Sequence, residues 1–219
     1  MITVEEVTAR LGAVRERAAA AGNPDVEIIG VTKGHGPDAI RAAAGAGLRG
    51  VGESYAQELV AKDTDLGLRE GRWPQIHFIG RLQRNKVRRI ADLVDVWQSV
   101  DRPELIDEIG RRSPGAQIMV QVHISNEATK GGCDPAAAAD LVARADRAGL
   151  RVSGLMGIAA LGPPAEVRSG FRLLRSLVDE LDLTECSMGM SGDMELAIEE
   201  GTTMIRVGTD LFGPRSPEG

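Results

Sequence analysis

Eight short apolar runs punctuate the chain, at residues 27–33, 50–53, 76–79, 96–100, 118–124, 152–158, 185–190 and 204–207. Between them lie stretches with helical spacing at 38–46, 55–61, 86–93, 103–112, 135–148, 166–181 and 194–200. Strands that alternate with helices imply right-handed crossover units around a parallel sheet. A count of eight favours closure into a barrel over an open doubly wound sheet. One helix precedes the first strand: Val4, Val7, Leu11 and Val14 recur at three- and four-residue spacings, as one face of an amphipathic helix requires. The expected fold is therefore α/β, a single (β/α)8 TIM barrel with an extra N-terminal helix. Residues 1–219 would form one domain, with 1–21 the added helix and 216–219 a frayed tail. The chain has 219 residues where the fold ordinarily runs to about 250. Its loops must then be short, and it carries no Pro-, Gly- or Ser-rich linker and no long internal repeat that would mark a second unit.

Hydrophobic residues make up 42% of the chain, enough for one sizeable core, while aromatics are only 3%. The interior must be built from Ala, Val, Ile, Leu and Met, a usage common in parallel-sheet proteins. With 26 Lys plus Arg against 32 Asp plus Glu, the net charge of −6 argues against a nucleic-acid partner, which needs a concentrated basic surface. The cysteines, Cys133 and Cys186, lie far apart and read as reduced thiols. The N-terminus carries charges throughout and no segment approaches membrane-spanning length, so a cytoplasmic, soluble protein without a membrane partner is expected, and a monomer rather than an oligomer. A local basic patch, Arg81, Arg84, Lys86, Arg88 and Arg89, is either a solvated helix face or an attractor for an anionic partner.

In a barrel of this kind, functional groups belong at the C-terminal ends of strands and in the loops that follow. Lys33 ends the run Ile28-Ile29-Gly30-Val31-Thr32-Lys33 and precedes Gly34-His35-Gly36-Pro37. It is either a solvated strand-end lysine or an amine facing the barrel mouth; a partly desolvated amine there has a lowered pKa and condenses with aldehydes as a Schiff base. The segment Ser187 to Met194 leads from the seventh strand into a helix, and Arg206-Val207-Gly208-Thr209 ends the eighth. Barrels often hold a phosphate between these two loops, where glycines let backbone N–H groups approach. Ser191 and Thr209 can add hydroxyl donors, and Asp193, which would repel a phosphate, should point along its helix or away. Arg206 either pairs with a carboxylate in the core or points at a ligand.

Gly45-Ala46-Gly47-Leu48-Arg49-Gly50 matches G-x-G-x-x-G spacing but follows a helix and leads into a strand, the reverse of a dinucleotide site, and reads as a helix stop. None of His35, His77 and His123 has a second His or Cys at ligand spacing, so no metal site is expected. His123 ends the fifth strand and could face the mouth; His77 reads as a satisfied structural histidine.

Taken together, Gly30-Val31-Thr32-Lys33, Val51-Gly52-Glu53-Ser54-Tyr55-Ala56-Gln57-Glu58, His77-Phe78-Ile79-Gly80-Arg81-Leu82-Gln83-Arg84-Asn85-Lys86, Ser187 to Met194 and Arg206 to Arg215 resemble the pyridoxal 5′-phosphate homeostasis proteins, also called YggS-like proteins. The resemblance covers nearly the whole chain. It implies a barrel like the N-terminal domain of alanine racemase, with pyridoxal phosphate as cofactor on Lys33. It further implies that Ser191, Gly192, Gly208 and Thr209 hold the phosphate, that Arg206 lies against the pyridine nitrogen, and that Met156 lines the pocket. A permanent cation at that nitrogen keeps it unprotonated and weakens the ring as an electron sink, which suits storage better than catalysis. The implied function is a carrier that buffers pyridoxal phosphate or delivers it to recipient apo-enzymes, without catalytic turnover. The alternatives are a pyridoxal-phosphate-dependent amino-acid racemase or lyase, with Tyr55 or His123 as the second acid or base, and a barrel isomerase of phosphorylated substrates. The chain departs from the family pattern at Ser54 and His123, where Asn is common, and at Asp210, where a small apolar residue is common.

Overall fold

The computed structural model describes residues 1–125, 127 and 130–214. Its eight strands close in sequence order: β1 (Glu27–Val31), β2 (Gly50–Glu53), β3 (Gln75–Phe78), β4 (Val96–Val100), β5 (Gln117–Val122), β6 (Arg151–Gly157), β7 (Glu185–Met190) and β8 (Met204–Val207). All neighbours run parallel, and β1 closes the ring by pairing with both β2 and β8, with Ile29 opposite Gly50 on one side and Arg206 on the other. The expected barrel and its extra N-terminal helix are both present. Residues 215–219, which include the expected tail, lie outside the described residues.

Helices α1 (Val4–Ala20), α2 (Pro37–Gly45), α3 (Ala56–Leu66), α4 (Arg84–Ile90), α5 (Pro103–Arg112), α6 (Ala138–Arg147), α7 (Pro164–Glu180), α8 (Met194–Glu199) and α9 (Thr209–Phe212) surround the sheet. The first is fixed by a capping box: Thr3 Oγ1 accepts the Glu6 N–H and the Glu6 carboxylate accepts the Thr3 N–H. Its buried stripe is Val7, Leu11, Val14 and Ala18, and the helix packs against α2, α8 and α9. Several boundaries differ from expectation; the fifth strand, for one, ends at Val122 and leaves His123 beyond it. The first strand stops at Val31, so Lys33 stands in the turn beyond it. Helix α3 runs five residues past 61 and stops at Gly67, whose φ of 60° is left-handed. The helical stretch at 135–148 opens as a 3-10 turn over Pro135–Ala137.

Two apolar layers result. The larger lies between sheet and helices and holds Trp97, Phe78, Phe171, Leu59 and Ile106. The smaller fills the barrel with Ile29, Met119, Met156 and Met204. Polar side chains are buried as well, among them His77, Gln98, Ser187 and Arg206. Aliphatic side chains and methionines fill such irregular space well, while each buried polar group must find a partner.

Candidate functional site

Beyond the end of β1 the chain turns at Gly34, whose φ is 73°. Both neighbours of Lys33 are tied to a buried ionic cluster. Thr32 Oγ1 donates to Glu53 Oε1 at 2.6 Å, and the Thr32 carbonyl accepts from Lys62 Nζ at 2.8 Å. The Gly34 N–H donates to Glu58 Oε1 at 2.8 Å. Lys62 Nζ joins the two acids, 2.5 Å from Glu53 and 2.6 Å from Glu58. Lys62 and Glu53 are almost wholly buried, and burial pushes the Glu53 carboxyl up against the opposing pull of Lys62. The turn that presents Lys33 is thus held by side chains from β2 and α3.

Across the mouth, β7 ends in a tight turn. The Asp193 N–H donates to the Met190 carbonyl at 3.1 Å, and Asp193 Oδ1 accepts the Met190 N–H at 2.6 Å. Asp193 stands at the N-cap of α8, but its carboxylate folds back onto the loop rather than along the helix. Gly189 makes the turn possible: its φ is 91°, and a Cβ there would lie 2.5 Å from Ala197 Cβ. Ser191 and Gly192 form the tip. Ser191 Oγ is buried, with no hydrogen-bond partner among the described residues, and the space a Gly192 Cβ would enter is empty. Gly208 and Thr209, which follow β8, complete this side.

Arg206 forms the floor. Its Nη1 donates to Ser187 Oγ at 2.7 Å and its Nη2 to the Gly157 carbonyl at 2.8 Å. No carboxylate among the described residues lies within ion-pair distance of it, although it is only 4% exposed. Burial lowers its pKa to about 10, which leaves it charged at neutral pH. Behind it a polar chain crosses the barrel: Ser187 Oγ donates to Gln98 Oε1 at 2.8 Å, and Gln98 Nε2 sits 2.7 Å from His77 Nδ1.

Lys33, Ser191, Gly192, Arg206, Gly208 and Thr209 therefore share one cavity of about 230 Å³ at the C-terminal end of the barrel, together with His35 and Ile158. Met156 is placed elsewhere, fully buried in the barrel-filling cluster against which Ile158 packs. Ser54 and Tyr55 line a neighbouring depression with Phe78, Arg81 and Lys86. His123 is turned to its own loop, with Nε2 3.0 Å from the Glu127 carbonyl. Asp210 accepts from Arg17 Nη1 at 2.6 Å. His77 is only half satisfied, since its Nε2 is buried without a partner. Among the described residues no cluster of three or more His, Cys, Asp or Glu could hold a metal ion.

Sequence reasoning missed the Lys62–Glu53–Glu58 cluster, the Gln98–Ser187 link and Arg17. The i, i+4 spacing of Glu58 and Lys62 is the only local signal among them.

The family described as "Alanine racemase, N-terminal domain" matches residues 2–216. A "Pyridoxal phosphate homeostasis protein" from Pseudomonas aeruginosa is 39% identical over 98% of this chain and 97% of its own length. The protein of that name from Escherichia coli K12 is 33% identical, with 97% of this chain and 98% of that one covered. The chain belongs to the pyridoxal phosphate homeostasis protein family. Among solved structures, that of family member PipY from Synechococcus elongatus, described as having pyridoxal phosphate bound, superposes with a TM-score of 0.82 at 35% identity, covering 94% of this chain and all of the other. Alanine racemase from Clostridium difficile shares the fold at 12% identity and a TM-score of 0.76, and this chain covers 61% of it.

Proposed function

We propose that this member of the family binds pyridoxal 5′-phosphate at the barrel mouth, holds it as a Schiff base on Lys33, and buffers or delivers it to recipient apo-enzymes in the cytoplasm without turnover of its own. One observation carries the reading: an amine, a buried cation without a carboxylate partner and an unpartnered buried hydroxyl beside two glycines converge on one cavity. When bound, pyridoxal phosphate supplies an aldehyde and an electron-withdrawing ring.

The residues divide the task. Lys33 is the nucleophile, presented by a turn fixed on both sides. Ser191 Oγ, the glycine-lined loop and Thr209 offer donors that suit a phosphate. Arg206, with two of its five N–H donors spent on Ser187 and Gly157, faces the cavity as a permanent cation and would hold a pyridine nitrogen unprotonated. This charge arrangement favours storage over carbanion chemistry. The racemase alternative needs a second acid or base opposite Lys33, and neither Tyr55 nor His123 lines the cavity. The basic face of α4 would receive an acidic partner; Arg84→Glu with Arg88→Glu should then slow transfer to an apo-enzyme.

The test is an absorbance titration with pyridoxal phosphate, then borohydride reduction and peptide mapping. A new visible-range band with the label on Lys33 supports the reading. Label scattered over surface lysines would reject it and favour a phosphate-ligand isomerase.

A further inference from the structure

Helix α1 reaches the loops on the phosphate side of the mouth through Arg17. Arg17 Nε donates to Glu195 Oε1 at 2.7 Å, its Nη1 to Asp210 Oδ2 at 2.6 Å, and its Nη2 to the Ser191 carbonyl at 3.3 Å. The three acceptors come from the loop after β7, the first turn of α8 and the start of α9, so one guanidinium joins both halves of the cradle from outside. Each carboxylate is close in sequence to a cradle donor: Asp210 follows Thr209, and Glu195 lies three residues beyond Gly192. Asp193, the other acid of this loop, is occupied by the Met190 N–H.

We propose that Arg17 is a positioning residue that sets the preference of the mouth for phosphorylated ligands, by neutralising Glu195 and Asp210 and holding them turned away from the cradle. This rests on the reading that Ser191, Gly192, Gly208 and Thr209 hold a phosphate. The planar fork suits the task, because Nε, Nη1 and Nη2 each donate to a different acceptor from one fixed plane. Two carboxylates left unpaired beside a dianion would repel it over a distance within the screening length of ordinary buffer. The hydrogen bond to Glu195 raises the Arg17 pKa, so the cation persists across the usable pH range.

The test compares affinities for pyridoxal phosphate and for unphosphorylated pyridoxal, with inorganic phosphate as competitor. Arg17→Met should weaken pyridoxal phosphate binding roughly fivefold while pyridoxal binding stays put. Asp210→Asn, which keeps the shape of the side chain and leaves Arg17 in place, should tighten it. Adding Asp210→Asn and Glu195→Gln to Arg17→Met should restore the wild-type preference. A purely structural loss would move both ligands together and would not be rescued by removing two more polar contacts. Were the wild type itself blind to the phosphate, the cradle reading would fall and the role of Arg17 with it. A wild type that prefers the phosphorylated aldehyde, together with variants whose preference does not move, overturns the role of Arg17 alone.

Discussion

Gln98 Nε2 lies 2.7 Å from His77 Nδ1, and this contact fixes the proton of a buried histidine on its far nitrogen. The direction follows from Arg206, which can only donate. Ser187 Oγ accepts from Arg206 and passes its own hydrogen to Gln98 Oε1, so the amide turns its NH2 towards His77. His77 Nδ1 then accepts, and the proton resides on Nε2, which has no partner.

Burial lowers the His77 pKa from 6.5 to about 4, and the sign of the consequence follows by linkage. The unfolded chain takes up a proton near pH 6.5 that the folded state refuses until about pH 4. Stability from this group is intact above pH 6.5 and is lost as pH falls through that window, by about 2 kcal/mol at pH 5. Thermal unfolding between pH 7.5 and 5 should show the decline, and His77→Gln should flatten it. An equally steep decline in the variant would assign it to other groups.

Ser187→Ala removes the acceptor of a buried cation and the donor to Gln98 in one step. The loss should be about 2 kcal/mol, a drop of roughly 4–8 °C in Tm for a chain of this size. Calorimetry of the two proteins at neutral pH reads it directly. An unchanged Tm would mean that water replaces both bonds.

The strands were legible because each is a short apolar run bounded by polar or glycine residues, as at Gly50–Glu53 and Met204–Val207. Lys33, Ser191 and Arg206 were legible because the barrel rule sends attention to strand ends before any contact is known. What stayed hidden was long-range. Arg17 meets its partners 174 to 193 positions away, and Gln98 meets Ser187 across 89. No local pattern encodes such pairs. Lys62 was hidden differently, because a lysine in a helical stretch reads as solvated surface, and it is the approach of Glu53, Glu58 and the Thr32 carbonyl that makes its burial tolerable. Met156 shows the opposite limit: a position near a strand end faces inward or outward by register, and here it belongs to the filled interior.

Lys62→Met leaves the Glu53 carboxylate and the Thr32 carbonyl buried without their cation, and should destabilise the protein by about 3–5 kcal/mol in urea unfolding. Because the same residue anchors the turn before Lys33, borohydride trapping of pyridoxal phosphate should slow even at temperatures where the variant is fully folded. Lys62→Met with Glu53→Gln should recover part of the stability, since the unpaired charge is gone. Recovered stability without recovered trapping would separate the anchoring of the turn from the electrostatics of the cluster.

The two glycines of the β7 loop should respond in opposite ways to the same added methyl group. Gly189 has a φ of 91° and its Cβ would lie 2.5 Å from Ala197, so Gly189→Ala strains the backbone and crowds α8 at once. A loss of about 2 kcal/mol or more is expected, read as a lowered Tm with the ligand absent. Gly192 carries no such constraint: its φ is not positive, and nothing stands within 4 Å of the added atom. Gly192→Ala should therefore leave Tm unchanged, yet place a methyl group where the loop borders the cavity beside Ser191. Affinity for pyridoxal phosphate should fall roughly tenfold, equivalent to about 1.4 kcal/mol, with pyridoxal affected less. The pair thus separates what the loop needs in order to fold from what it needs in order to bind: a Gly192→Ala variant of full affinity would move the phosphate away from this tip, whatever Gly189→Ala does to stability.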